Sequence, residues 1–179
     1  YQQEPRAFDL EGQPSLGPDL ARHTLVEFAD FRCPHCKDAY GDLVRFARGR
    51  KDVRLVYYFF PLSGFGEPSI RAAKAAEAAR RQGEFWEMAE LLYANQTALK
   101  EADIRGYAQA AGLDLEQFEA DYASEAVEQG VFAEQKLGTA AGVQGTPAIF
   151  LNGRRLELPH DPKNLALRIA MENDREVCD

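Results

Sequence analysis

Two cysteines three residues apart, Cys33 and Cys36, are the side chains of this sequence best suited to chemistry. They follow a short apolar run and precede a segment with helical spacing, so we expect Cys33 at or just before a first helical turn. Unpaired N–H groups and the helix dipole favour an anion there, which predicts a Cys33 thiolate with a lowered pKa, in the range of about 3.5–7.5. Cys36, one turn later, is placed to close a disulfide. The pair predicts thiol–disulfide exchange, with Cys33 as nucleophile and Cys36 as resolving thiol.

The two residues between the cysteines agree with this interpretation. Pro34 suits the first helical position, where its missing N–H would have had no partner. His35 adds a donor and, when protonated, a positive charge beside the thiolate. Stabilising the thiolate stabilises the reduced form, which makes the disulfide more oxidising. The alternative is that His35 points into solvent and contributes little.

A Cys-x-x-Cys pair can also be a structural disulfide or half of a zinc site. Zinc would need two more ligands, and beyond Cys178, His23, His160 and carboxylates the sequence has no second paired motif. We therefore predict no metal site. Cys178 lies in a polar segment after the last predicted helix, and we expect it to take no part in the core redox cycle.

Glu27 interrupts an otherwise apolar run six residues before Cys33. A carboxylate inside a buried strand is costly unless it is solvated or functional. Glu27 is thus either at a strand edge facing water or a proton acceptor for Cys36 during exchange.

The elements that must position these residues follow from hydrophobic periodicity. Residues 23–28 and 53–60 predict strands and residues 34–47 a helix, a β–α–β unit whose strands are parallel. Strands at 148–151 and 154–158 are joined by the turn Asn152-Gly153. The predicted helices after residue 66 cover 69–82, 84–95, 101–111, 115–123, 125–140 and 162–172.

This order predicts an α/β fold, β–α–β … β–β–α, with an inserted all-helical block. It is similar to the order of a thioredoxin core. We expect the core to comprise residues 23–66 and 143–172, and the inserted helical subdomain residues 67–142. Residues 1–22, rich in Pro and Gly, predict a loosely ordered lead-in, and residues 173–179 a C-terminal tail.

Three segments carry a resemblance to a known family. Residues 25–36, ending in Cys-Pro-His-Cys, closely resemble the active-site segment of DsbA-like thioredoxin-fold thiol–disulfide oxidoreductases. Phe60-Pro61-Leu62 and the stretch 72–86 resemble the family's second strand and first inserted helices. Residues 142–153 are similar to its cis-proline loop and following hairpin.

The resemblance implies a role for each matching residue. Cys33 would be an exposed nucleophile, Cys36 its resolving partner and Glu27 a buried acid, while Pro34 and His35 would set the redox potential.

The resemblance also implies a substrate-binding loop. The Thr146–Pro147 bond would be cis, face the disulfide and offer backbone hydrogen bonds to an extended substrate. The best-known oxidase has Val where this sequence has Thr146, which leaves the physiological direction open.

The expected enzyme is a dithiol oxidase that donates disulfides to protein or peptide thiols outside the cytoplasm, in the bacterial periplasm. It would need no cofactor beyond its own disulfide, and a DsbB-like or vitamin K epoxide reductase-like membrane protein would be its redox partner. The alternatives are a reductase or isomerase for a dedicated partner, a redox domain coupled to a membrane quinone-linked oxidase, and a non-catalytic binding module. Intact cysteines disfavour the last.

Composition restricts the partners further. The net charge of −8 disfavours nucleic acid, whose phosphates require clustered Lys and Arg. No apolar run approaches the roughly 20 residues of a membrane helix, so we expect at most a peripheral membrane association. Since the sequence begins at Tyr1, we expect a processed or trimmed chain from which a targeting segment is absent.

Overall fold

The computed structural model describes residues 4–157 and 159–177. Its centre is a five-stranded sheet with the strand order β1-β3-β2-β4-β5. The strands are Ser15–Leu16 (β1), His23–Ala29 (β2), Val53–Phe59 (β3), Ala148–Leu151 (β4) and Arg154–Arg155 (β5). The helices are Pro34–Arg48 (α1), Glu67–Arg81 (α2), Phe85–Ala94 (α3), Glu101–Ala110 (α4), Leu115–Tyr122 (α5), Glu125–Ala140 (α6) and Pro162–Val177 (α7).

The predicted topology is confirmed. Strands β2 and β3 are parallel and connected through α1, and β4 runs antiparallel to β2. Helices α2 to α6 are inserted between β3 and β4. The central strand of the sheet is β2, and its carboxyl end leads directly to the cysteines.

Successive residues of β2 face opposite sides of the sheet, as strand geometry requires. Leu25 and Ala29 pack in the core cluster that contains α1 and the helical block. Val26 and Phe28 pack in a second cluster on the other face. The alternation places Glu27 on the same face as Leu25 and Ala29, beneath the helix that carries the cysteines.

The expectation of a loosely ordered lead-in is wrong for residues 4–22. Ser15 pairs with Val56 in the sheet, and the Arg6 N–H donates to the carbonyl of Gly153 at 2.8 Å. The Phe8 ring packs edge-on against Phe150, with 5.0 Å between ring centroids. This segment is held by apolar contacts with the second face of the sheet, which its Pro- and Gly-rich composition does not reveal.

The end of the chain also differs from expectation. Strand β5 has two residues rather than the predicted 154–158, and Leu158 lies outside the described residues. Helix α7 continues to Val177, so most of the predicted tail over 173–179 is helical. The extension is anchored by Asn173, whose side chain lies 3.0 Å from the Nε2 atom of buried His23. Cys178 lies outside the described residues.

Close packing between α6 and the sheet leads to a first prediction. A Cβ atom on Gly138 would lie 2.6 Å from the Phe60 ring and 2.9 Å from the Phe28 ring. Gly138→Ala is therefore expected to destabilise the fold by about 1–3 kcal/mol, measured by denaturant unfolding. Gly130→Ala is the matched control, since that exposed position of α6 has no atom within 4 Å of the added Cβ. The control should stabilise by up to about 1 kcal/mol, and equal gains for both variants would contradict the packing argument.

Candidate active site

Cys33 is the N-cap residue of α1, and Pro34 occupies the first helical position. The Cys33 N–H donates to the carbonyl of Asp30 at 3.1 Å, while the Cys33 carbonyl accepts from the Lys37 N–H at 3.3 Å. Both cysteines are free thiols. The predicted placement of the pair, after a strand and opening a helix, is confirmed.

The pKa values of the two thiols are shifted in opposite directions. A hydrogen bond from the Cys36 thiol, followed by the Thr146 side chain and then by the backbone N–H groups of Cys36 and His35, lowers the pKa of Cys33 to about 5 despite its burial. Burial, followed by the bond to Cys33, raises the pKa of Cys36 far above its ordinary value. Cys33 is therefore the thiolate at neutral pH and Cys36 the thiol that donates to it.

The expectation of an exposed nucleophile needs correction, because Cys33 is only 4% exposed. Its sulfur lies 3.6 Å from the carbonyl oxygen of Thr146, in the loop before β4. The Thr146–Pro147 peptide bond is cis, as expected from the resemblance. The structure thus brings residues 33 and 146 together, and the loop covers part of the nucleophile.

Glu27 is fully buried, so the interpretation of a strand edge facing water is wrong. It lies opposite Tyr57 of β3 on one side and Ile149 of β4 on the other. Burial and then the negative charge of Cys33 raise its pKa to about 8. Within the described part of the chain, neither carboxylate oxygen has a hydrogen-bond partner.

The His35 side chain is exposed, like that of Pro34. What His35 contributes to Cys33 in this geometry is its backbone N–H. A contribution of the imidazole ring to the redox potential stays a prediction.

Asp30 is a residue of the site that the sequence analysis missed. It is 2% exposed, and its carboxylate accepts hydrogen bonds from the Arg32 N–H at 2.8 Å, the Leu62 N–H at 2.7 Å and the Ser69 hydroxyl at 2.8 Å. It therefore ties the loop between β2 and α1 to the start of the helical block. An Asp directly after a strand that bonds the backbone two residues on is a common turn signal, which could have identified it.

A family model for thioredoxin matches residues 9–170 of the chain. The chain belongs to the thioredoxin family. A thioredoxin-like oxidoreductase from Silicibacter pomeroyi DSS-3 is 28% identical, with a TM-score of 0.76 over 93% of this chain and 94% of that one. The thiol-disulfide exchange protein alpha-DsbA2 from Wolbachia pipientis shares the fold at 20% identity, with a TM-score of 0.79 over 90% and 87% of the two chains. The expected membership of the DsbA-like thioredoxin-fold family is confirmed.

A much longer protein also matches this thioredoxin-family chain. The Na(+)/H(+) antiporter NhaA 3 of Salinispora tropica is 37% identical over 153 residues, which are 86% of this chain but 24% of the antiporter. The chain thus spans about a quarter of that relative. Within residues 4–157 and 159–177, no helix is long and apolar enough to cross a membrane.

The thiol asymmetry of this thioredoxin-family protein can be measured by titration. In the reduced protein, the ultraviolet absorbance of the thiolate is expected to rise with a midpoint near pH 5. Cys36→Ala should move that midpoint upward, because the Cys36 thiol is the largest single cause of the lowered pKa. A midpoint near the ordinary cysteine value of about 8.5, or no shift in the variant, would contradict the assignment.

Proposed function

We propose that this protein is a dithiol oxidase, which donates the Cys33–Cys36 disulfide to thiols of extracytoplasmic proteins. The observation that carries the proposal is the contrast between a Cys33 pKa lowered to about 5 and a Cys36 pKa raised by burial. A stabilised thiolate favours the reduced enzyme, so its disulfide is a good electron acceptor.

The first step is attack of a substrate thiolate on the sulfur of Cys33. The bond between Cys33 and Cys36 breaks, a mixed disulfide forms, and Cys36 leaves as a thiolate. In the second step another substrate thiolate attacks the substrate sulfur of that mixed disulfide, and Cys33 leaves as a thiolate. Two substrate thiols have then become one disulfide, and their two electrons reside on the enzyme cysteines.

Glu27 supplies the proton that the first step requires. With a pKa of about 8 it is mostly protonated at neutral pH, and it lies beneath the cysteines. Cys36, whose thiolate is strongly disfavoured by burial, accepts that proton as it leaves. The reverse transfer takes place when the dithiol is reoxidised.

An extended peptide is the substrate form that suits the site. The loop containing Thr146 and cis-Pro147 lies beside Cys33, and its backbone can pair with an incoming strand. Pairing through the main chain is tolerant of side chains, as a donor for many protein thiols requires.

The expected setting is an oxidising compartment such as the bacterial periplasm, where protein disulfides persist. No cofactor beyond the Cys33–Cys36 disulfide takes part in the steps above. Each turnover leaves a dithiol, so a partner must remove two electrons. A DsbB-like or vitamin K epoxide reductase-like membrane protein is the proposed electron acceptor.

A second candidate function follows from the match to part of a much longer antiporter. The same thiol centre would serve as the redox domain of a larger membrane transport protein, since the match covers 86% of this chain and a quarter of the antiporter. Exchange of Na⁺ for H⁺ by vesicles containing the full gene product, assayed under oxidising and reducing glutathione buffers, would test it. A gene product without further domains would exclude it.

The redox potential tests the direction of the reaction. Equilibration with glutathione is expected to give a value nearer the roughly −120 mV of a strong dithiol oxidase than the roughly −270 mV of a reducing thioredoxin. The oxidised protein should also oxidise a two-cysteine peptide in a single turnover. A potential near −270 mV would favour the reductase or isomerase alternative.

A further inference from the structure

Gln96 follows helix α3 in the helical block, yet its side chain bonds the active-site loop. Its Nε2 atom donates to the carbonyl oxygen of Phe31 at 2.7 Å and to that of Cys33 at 2.8 Å. One amide group thus uses both of its hydrogens on two carbonyls of the loop between β2 and α1.

These two carbonyls belong to the loop that carries the nucleophile. Cys33 has an extended backbone, with φ −75° and ψ 120°, and no side chain caps the helix that it opens. The loop is held from one side by Asp30, which bonds the N–H groups of Arg32 and Leu62. Gln96 holds the loop from the side of the helical block, by bonding carbonyl groups of the loop rather than its N–H groups.

The geometry points to Gln96 as a positioning residue of the thiol centre, which fixes the Cys33 peptide so that the N–H groups of Cys36 and His35 face the Cys33 sulfur. Hydrogen bonds to a thiolate depend steeply on distance and angle, so a loop free to rotate would stabilise the anion less. The inserted helices would then contribute to the chemistry of the core. This inference rests on the thiol exchange proposed above. The quantities that test it, the Cys33 pKa and the change in redox potential between variants, do not depend on the direction of exchange.

Gln82 offers a matched control in the same helical block. Its amide also makes two backbone hydrogen bonds, donating to the Asp114 carbonyl at 3.1 Å and accepting from the Asp114 N–H at 2.9 Å. Both glutamines are half-buried. Methionine has nearly the shape of glutamine but no amide, so Q96M and Q82M remove the same kind of contact at the two places.

The experiment compares the pH midpoint of thiolate absorbance and the redox potential in the two variants. Q96M is expected to raise the midpoint by about half to one unit, the equivalent of one lost hydrogen bond. The potential at pH 7 should become more reducing by about 15–30 mV. Q82M should change neither quantity, although both variants should unfold at lower denaturant concentration.

A purely structural role would be revealed by a different pattern. Q96M would then lower stability as Q82M does and leave the Cys33 midpoint and the potential unchanged, which overturns the inference. Should Q96M not fold, Q96N replaces it, because asparagine is one methylene too short to reach both carbonyls. A shifted Cys33 midpoint and potential in Q96N would then support the positioning role, and unchanged values would overturn it. A wild-type potential near −270 mV would refute the oxidase direction alone, since this comparison measures only differences between variants.

Discussion

Glu27→Gln is expected to remove a loss of stability that ionisation of Glu27 imposes on the reduced protein as the pH rises. The Glu27 pKa is raised from 4.5 to about 8 in the folded state, so folding favours the protonated acid. The contribution of Glu27 to stability is therefore fully present below pH 4.5 and is lost progressively as the pH rises from 4.5 to about 8. Between pH 4.5 and pH 7 the loss amounts to about 3 kcal/mol relative to a variant that cannot ionise.

The measurement is denaturant unfolding of wild type and E27Q at pH 4.5, 7 and 8. Any cost of burying the glutamine amide is the same at each pH, so the change in the difference isolates the carboxyl group. Glu90→Gln is the control: it removes the same charge from an exposed position of α3 and should show no such trend. A wild type and E27Q that differ by the same amount at all three values would show that Glu27 is not a buried titrating acid.

The same variant also tests the proposed proton transfer. Glutamine has no acidic proton to give, so release of Cys36 from its disulfide is expected to slow by about 10²–10⁴-fold in E27Q. Single-turnover oxidation of a peptide at several pH values measures this step. Wild-type rates in E27Q would show that Cys36 receives its proton from another source.

Cys33→Ser is expected to abolish disulfide transfer, whereas Cys36→Ser is expected to stop at a mixed disulfide. The Cys33 thiolate is stabilised at neutral pH and lies beside the substrate loop, while Cys36 is fully buried and held as a thiol. Removing the nucleophile should lower the rate by at least about a thousandfold. With Cys36→Ser, no resolving thiol remains to release the substrate from Cys33.

Mass spectrometry after incubation with oxidised glutathione or a disulfide peptide distinguishes the two variants. An adduct at the remaining active-site cysteine is expected in Cys36→Ser and not in Cys33→Ser. Cys178→Ser serves as the control and should transfer disulfides like the wild type, which also tests the expectation that Cys178 stays outside the redox cycle. An adduct on Cys36 in the Cys33→Ser protein would reverse the assigned roles.

The local parts of the site could be predicted from the sequence. A Cys-x-x-Cys pair with Pro34 at the first helical position is a helix start, and the structure places α1 at Pro34–Arg48 against the predicted 34–47. The inserted helices agree within two residues at each end, because glycines and acidic N-terminal residues mark their boundaries. Such features depend on neighbours along the chain. The cis bond before Pro147 came only from the resemblance, since periodicity carries no signal for it.

The tertiary structure decided what surrounds the cysteines. Glu27 is buried because α1 and the helical block cover its face of the central strand β2, an arrangement that an alternating pattern along one strand cannot reveal. Phe8 packs against Phe150, and Gln96 bonds Phe31 and Cys33, through contacts that span more than sixty residues of chain. Periodicity reports which face of an element is apolar, but not which distant element covers it. The reactive pair was thus determined locally, while its depth, its orientation and the acid beneath it depend on the whole fold.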